Sequence, residues 1–299
     1  MKTGRSVLLA ATVSTLSPTF AFGQSMIEKN VVVGMYSGLA LTMDVHRPEN
    51  SNGLGIVHIS GSGWMRPLAY DAEPLSESQV DVYGQPLVQR GYTVFSLNHR
   101  ATPRFRFPAP LEDVQRAVRF VRYHAAEYGI DPDRIGAIGG SSGGHLSAML
   151  GVMDGRGDPD DPDPVNRVSA KVQTVVARAP LTDLARIETP EGIGFVVLLM
   201  GARPSPNAHT AEGRAYFEAS PVNHVSADDP PTLFIHGDRD GLVPFEQSEL
   251  LSRALDAVGV ETRLIRIPEG DHGPTFPGAV DPPDYIGAII DWFDRHLGR

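Results

Sequence analysis

The stretch Ile135-Gly136-Ala137-Ile138-Gly139-Gly140-Ser141-Ser142-Gly143-Gly144-His145-Leu146 decides how this chain is read. Ile135–Ile138 is a short, mostly apolar run of the kind that forms a strand covered on both faces. Leu146, Met149 and Leu150 fall on one side of a helix. Between them stands the pattern G-x-S-x-G, Gly139 to Gly143. A serine on a tight strand-to-helix turn is held in a strained backbone conformation, and its neighbours must be small for the turn to close. The helix N-terminus behind it favours developing negative charge. In this strand-turn-helix setting the pattern marks a nucleophilic serine, with a plain Gly/Ser turn as the weaker alternative. Gly140-Ser141-Ser142-Gly143-Gly144 also fits, in a second register. Ser141 is preferred because Gly139 then closes the strand and the Ser142 amide directly follows the nucleophile.

Outward from the elbow, further apolar runs read as parallel strands: Gly55–Ile59, Tyr92–Leu97, Val172–Val176 and Thr232–His236; a further strand is read over Arg263–Ile267. Residues 39–45 alternate Leu39, Leu41, Met43 and Val45 against Ala40, Thr42 and Asp44, predicting an antiparallel edge pair with one covered face. In 110–128, Leu111, Val114, Ala117, Val118 and Val121 recur at helical spacing behind Pro110, while Glu112, Arg116, Arg119 and Arg122 decorate other faces. Strands alternating with helices imply right-handed crossovers onto a mainly parallel sheet with helices on both faces, an α/β architecture in one domain over 24–299. Residues 181–229 exceed what a crossover needs and read as a small inserted cap. Its run Phe195–Met200 supplies candidate pocket residues, Phe195 and Leu198 first. The aspartate- and proline-rich loop 154–166 lacks EF-hand spacing and reads as solvated.

A serine nucleophile needs a base, and the base an orienting acid. Where this elbow occurs, the acid and then the histidine follow the serine in the chain. Thr232–Val243 is a strand running into an acidic turn, making Asp240 the acid and Asp238 the fallback. His272, in Glu269-Gly270-Asp271-His272-Gly273, is the base. Backbone N–H groups for an oxyanion are expected from the loop Ser60-Gly61-Ser62-Gly63-Trp64 after the strand ending at Ile59, beside the Ser142 amide that follows the nucleophile, with Trp64 as a candidate substrate contact. His145 and His236 lie beside these motifs and are read as packing or hydrogen-bonding there. The other histidines are given structural or surface roles. No H-E-x-x-H, P-loop or dinucleotide-type glycine motif occurs, so no cofactor and no metal is expected.

The first residues run basic (Lys2, Arg5), apolar (Val7–Val13), then Pro18 and Ala21-Phe22-Gly23, the order of an export signal with cleavage after Gly23. The apolar run is too short for a stable span of a bilayer about 30 Å thick. The expected product is periplasmic or secreted. With no cysteine, stability has to come from the core rather than from disulfides. The net charge is −10, and loss of 1–23 removes two bases and no acid, which argues against nucleic acid or an anionic membrane as partner.

Taken together, these motifs resemble the α/β-hydrolase esterase/lipase family: hormone-sensitive-lipase-like esterases and the acetyl-xylan and feruloyl esterases near prolyl-oligopeptidase-type hydrolases. The resemblance covers about Leu41 to Leu297. It is carried by the loop ending Gly63-Trp64, Asn98-His99-Arg100 through Phe107-Pro108-Ala109 to Glu112-Asp113, the elbow with its Gly-Gly-His-Leu, Ala219–His224, and His236-Gly237-Asp238-Arg239-Asp240 with Val243-Pro244. Where the family usually reads His-Gly-Gly-Gly-Trp, this chain reads Ser60-Gly61-Ser62-Gly63-Trp64. The resemblance implies an α/β-hydrolase fold, Ser141, Asp240 and His272 as the catalytic set, the amides of Ser62, Gly63 and Ser142 as oxyanion donors, and hydrolysis of small to medium acyl esters, free or polysaccharide-linked, through an acyl-enzyme. Activity should then fall as His272 takes up a proton at acid pH. An exported serine peptidase or amide hydrolase of the same fold, and a non-catalytic binding module on that scaffold, are the alternatives. Oligomeric state is not legible in the sequence.

Overall fold

The computed structural model describes residues 26–298 apart from 68, 70, 206 and 208. The export-signal reading of 1–23 therefore lies outside the described residues. The chain runs β1 (Met26–Tyr36), β2 (Leu39–Arg47), β3 (Gly55–Ile59), α1 (Val80–Gln89), β4 (Thr93–Leu97), α2 (Ala109–Tyr123), α3 (Ala125–Tyr128), β5 (Ile135–Gly140) and α4 (Ser142–Val152). It continues with β6 (Thr174–Arg178), α5 (Pro190–Met200), α6 (Ala211–Glu218), β7 (Thr232–Gly237), α7 (Glu246–Ala257), β8 (Thr262–Ile267) and α8 (Tyr285–Leu297). The eight strands form one sheet in the order β1-β2-β4-β3-β5-β6-β7-β8. β1 and β2 pair antiparallel, as do β2 and β4, and the remaining pairs are parallel.

The central strands are apolar on both sides because both faces are covered. Val57, Phe95, Ala137, Val175 and Phe234 pack with Leu111, Val114, Leu146, Met149 and Leu251 from α2, α4 and α7. Their alternating neighbours Ile56, Val94, Ile138, Val176 and Ile235 pack on the other face with Leu87, Ile289, Trp292 and Phe293 from α1 and α8. Each of the valines, leucines, isoleucines and phenylalanines among them, taken wholly out of water, contributes about 1.5–3 kcal/mol. The arginines of α2 do more than decorate it. Arg116 donates to the Val33 carbonyl and to Asn166, while Arg122 donates to the carbonyls of Pro132 and Lys171. They tie the helix to β1 and to the aspartate-rich loop, whose carboxylates mostly cap their own turns, Asp154 over Arg156 and Asp163 over Val165.

β6 differs in register from the sequence reading. It begins at Thr174, because Gln173 is occupied in bonding Ile135 through both its backbone N–H and its side-chain oxygen, and it extends to Arg178. The two-residue shift carries an arginine to the carboxyl end of the sheet. Residues 181–229 fold between β6 and β7 as α5, α6 and short 3-10 turns.

Candidate active site

Every piece of the site follows the carboxyl end of a parallel strand, the edge at which open α/β sheets leave a crevice. The loop after β3 carries Gly61–Trp64, the turn after β5 carries Ser141, β6 ends in Arg178, and the loops after β7 and β8 carry Asp240 and His272. Ser141 has φ 55° and ψ −123°, outside the regions open to an ordinary L residue. The turn is locked from both sides. A Cβ on Gly143 would lie 2.0 Å from the Ile59 carbonyl oxygen, and one on Gly139 2.3 Å from that of Gly143. The Ser141 N–H donates to the Arg178 carbonyl at 2.8 Å.

Ser141 Oγ lies 2.9 Å from His272 Nε2, and His272 Nδ1 lies 2.7 Å from Asp240 Oδ2. A carboxylate can only accept, so Nδ1 carries the proton and Nε2 is free to accept from the serine hydroxyl. The Asp240 side chain is fully buried. Burial pushes its pKa up, but hydrogen bonds from His236 and His272 and the attraction of both imidazoles outweigh this and hold it well below the usual carboxylate range. Its other oxygen accepts from the N–H groups of Leu242 and Val243, at 3.0 and 2.8 Å.

His236 was not given this role by its sequence context. Its Nε2 faces two acceptors, the Val243 carbonyl at 2.9 Å and Asp240 Oδ2 at 3.3 Å, so it carries a proton, while Nδ1 accepts from Ser248. The ring is thus a second imidazole donating to the same carboxylate. Its signal was its spacing of four residues from Asp240 at the end of a strand. Asp238, the fallback acid, turns away to Arg266 at 2.7 Å. Asp271 bonds the backbone N–H groups of Gly241 and His272 with one oxygen, locking the two loops together.

The expected oxyanion donors divide. Ser142, the first residue of α4, has no intrahelical acceptor for its N–H. The Gly63 N–H likewise makes no hydrogen bond among the described residues. The Ser62 N–H is already engaged, donating to Ser142 Oγ at 2.9 Å, which corrects the reading of Ser62 as a free donor. The same bond settles the register of the elbow, since the buried Ser142 hydroxyl braces the loop and Ser141 faces the histidine.

A cavity of about 220 Å³ opens over Ser141, lined by Gly61, Ser62, Gly63, Gln79, Arg178, Phe195, Leu242, His272, Gly273 and Pro274. Phe195 lies close against Gly63, where a Cβ would come within 2.6 Å of its ring. Two expected substrate contacts are corrected. Trp64 is wholly buried and donates its indole N–H to His145 Nδ1 at 3.2 Å, so it supports the loop from behind. Leu198 is 39% exposed on the outer side of α5 and is not part of the cavity wall. Arg178, which no sequence motif flagged, is. A larger hollow of about 630 Å³ lies elsewhere, around Met153, Lys171 and Asp228, and contains none of these residues. Among the described residues no group of three His, Cys, Asp or Glu side chains could hold a metal ion, and no helix is long and apolar enough to cross a membrane.

The mostly parallel sheet with its antiparallel first strands, the serine elbow after β5 and the loops gathered at the carboxyl edge define an α/β-hydrolase. The BD-FAE family matches residues 43–255, and the chain belongs to that family, within the esterase group of the α/β-hydrolases. Among curated proteins it is similar to the esterase LipQ of Mycobacterium tuberculosis, 28% identical over 82% of this chain and 56% of that protein. It is 34% identical to the probable carboxylic ester hydrolase LipM of the same organism over 54% of this chain and 37% of LipM. The chain thus spans about a third to a half of these relatives' lengths. A truncated carbohydrate esterase from gut microbiota superposes with a TM-score of 0.75 at 30% identity, covering 92% of this chain and 97% of its own. An acetyl ester-xyloside bifunctional hydrolase from Caldicellulosiruptor lactoaceticus superposes with a TM-score of 0.75 at 28% identity, over 93% and 98%.

Proposed function

We propose that this protein is a carboxylic ester hydrolase that works through an acyl-enzyme on Ser141. The observation that carries the reading is the unbroken hydrogen-bonded chain Ser141–His272–Asp240, opening into a cavity beside two unengaged backbone N–H groups. As Ser141 Oγ attacks the ester carbonyl, His272 Nε2 takes its proton and Asp240 stabilises the imidazolium. The Gly63 and Ser142 amides receive the oxyanion. Collapse of the tetrahedral adduct breaks the bond to the alcohol, which leaves with the proton held on His272. Water, deprotonated by the same nitrogen, then releases the acid and restores the serine.

The cavity's volume suits small to medium acyl groups. The likeness to a carbohydrate esterase and an acetyl ester-xyloside hydrolase favours esters on sugars or polysaccharides as one substrate source. The basic, apolar and small-residue order of residues 1–23 supports export of the enzyme from the cytoplasm, and the N-terminus of protein recovered from the producing cell's exterior tests it, with Gln24 expected first.

The activity is tested with 4-nitrophenyl esters from acetyl to octanoyl. Turnover is expected, falling by about 10⁴-fold or more in Ser141→Ala. Equal turnover by the two proteins would remove Ser141 from the mechanism, and cleavage confined to anilide analogues would make the enzyme an amidase.

A further inference from the structure

Arg178 ends β6 opposite Gly140, the residue before the proposed nucleophile. It is only 2% exposed, yet its side chain lines the cavity over Ser141. A Cβ on Gly140 would lie 2.5 Å from Arg178 Nη2 and 2.7 Å from Nε, so the guanidinium sits directly against the elbow. The other deeply buried arginine of the fold, Arg100, is neutralised, with Asp113 and Glu112 on its guanidinium. Arg178 has no carboxylate partner among the described residues. Its Nη1 donates to the Gly273 carbonyl at 2.6 Å, its Nε is buried with no hydrogen-bond partner, and the faces of Tyr83 and Phe276 flank it at 5.7 and 5.3 Å. The remaining cavity walls are glycine, serine, glutamine, histidine, proline, leucine and phenylalanine. The nearby Asp240 already accepts from His272, His236 and two amides.

A guanidinium offers five N–H donors in a planar fork, and burying one without an anion is strongly unfavourable. The chain as a whole is acidic, so an unpaired buried base is no overflow of positive charge. Resting on the ester-hydrolase reading, we infer that Arg178 is a specificity-determining residue that binds a carboxylate of the substrate. The preferred substrates are then esters carrying an acidic group within one pocket's length of the scissile carbonyl. Two kinds of ester satisfy that chemistry: a monoester of a dicarboxylic acid, with the charge on the acyl side, and an ester of a hydroxy acid, with the charge on the alcohol side. A planar monoanion matches a single guanidinium better than a phosphate dianion would, since the fork pairs with carboxylate through two parallel bonds and no lysine or second arginine lines the wall.

The test compares matched acidic and neutral esters. On the acyl side, 4-nitrophenyl hemisuccinate is set against 4-nitrophenyl pentanoate; on the alcohol side, 3-acetoxybenzoate against 3-acetoxybenzamide. The wild type is expected to favour the acid at least tenfold in kcat/KM in one pair, which also names the side that carries the charge. In Arg178→Met that acid-to-neutral ratio should drop by about 100-fold, whereas Arg178→Lys, which keeps the charge and loses the fork, should retain part of it. A wild type that handles the neutral member of both pairs as well as the acidic one overturns the inference, whether or not the variants fold. So does an equal loss on both members in Arg178→Met, because Arg178 would then serve only to position the Gly273 loop and its neighbour His272. Turnover of the neutral esters keeps the ester-hydrolase reading standing in either case; failure on all four substrates overturns that reading and this inference with it.

Discussion

Ser141 occupies a backbone conformation that its sequence neighbours make affordable: Gly139 and Gly143 clear the space, and the Ser62–Ser142 bond fixes the loop opposite. At this scale the decisive prediction concerns Asp240. Its carboxylate can only accept, which forces the His272 proton onto Nδ1 and leaves Nε2 basic toward Ser141. Asp240→Asn keeps the shape but can present an N–H to Nδ1, favouring the tautomer that cannot take the serine's proton. Ester turnover should fall by about 10³–10⁴-fold in kcat with little change in stability. A loss of less than tenfold would show that His236, the other imidazole on this carboxylate, or a water suffices to orient His272. The serine, acid and histidine positions were legible because each lies in a glycine-bounded turn after a strand, in the order this elbow demands. Trp64 was misread because an aromatic after a glycine loop looks like a pocket wall. Its indole N–H needed a buried acceptor, however, and His145, on the first turn of the helix after the elbow, supplies one. Arg178 escaped because the apolar run before it suggested a strand ending two residues sooner.

At the scale of elements, the fold followed from periodicity wherever one pattern dominated. Alternation over Leu41, Met43 and Val45 gave β2, and the 3.6-residue spacing from Leu111 to Val121 gave α2. α5 shows the limit: six consecutive apolar residues, Phe195 to Met200, cannot all face one way when each step turns the helix by about 100°. Phe195 reaches the cavity, Val196 and Leu199 are buried, and Leu198 faces out. No periodicity announces the tie between β4 and α2, because it is made by charge. Arg100, just beyond β4, donates to Asp113 on α2 through its backbone N–H at 2.6 Å and its guanidinium at 2.9 Å, and stacks over Tyr36 at 4.1 Å. Burial pushes the Asp113 carboxyl up despite those bonds. Asp113→Ala leaves the buried Arg100 with only the exposed Glu112 as counter-charge and should lower the unfolding free energy by about 3 kcal/mol, whereas the pair Arg100→Met with Asp113→Leu should recover most of that loss. Denaturant titration of both variants decides it. Equal destabilisation by the single and the double change would mean that the pair is held for its packing on Tyr36 rather than for its charge.

The molecule as a whole stores its acid sensitivity in the core. His58 on β3 and His145 on α4 are wholly buried, and burial lowers their pKa values to about 3 and about 4 from an ordinary 6.5. For His58 the nearby His46 adds to the effect, and its Nδ1 is taken up by Ser96 Oγ at 2.9 Å. For His145 the geometry gives the reason: Nδ1 accepts from the Trp64 indole N–H and Nε2 donates to the Ala219 carbonyl at 2.8 Å, so a second proton would have to face an N–H. Because the folded values lie below the unfolded ones, the unfolded chain binds more protons between them. The stability these rings contribute is therefore complete above pH 6.5 and drains away as the pH falls toward 4 and then 3, at about 1.4 kcal/mol for each pKa unit of separation. The urea midpoint should accordingly hold steady from pH 8 to 6.5 and decline below it. His145→Gln can still accept from Trp64 and donate to Ala219 but cannot titrate, so its decline should be shallower than that of the wild type even if its midpoint at pH 8 is lower. A wild-type midpoint that stays flat down to pH 4.5 would mean that these rings find room for the second proton.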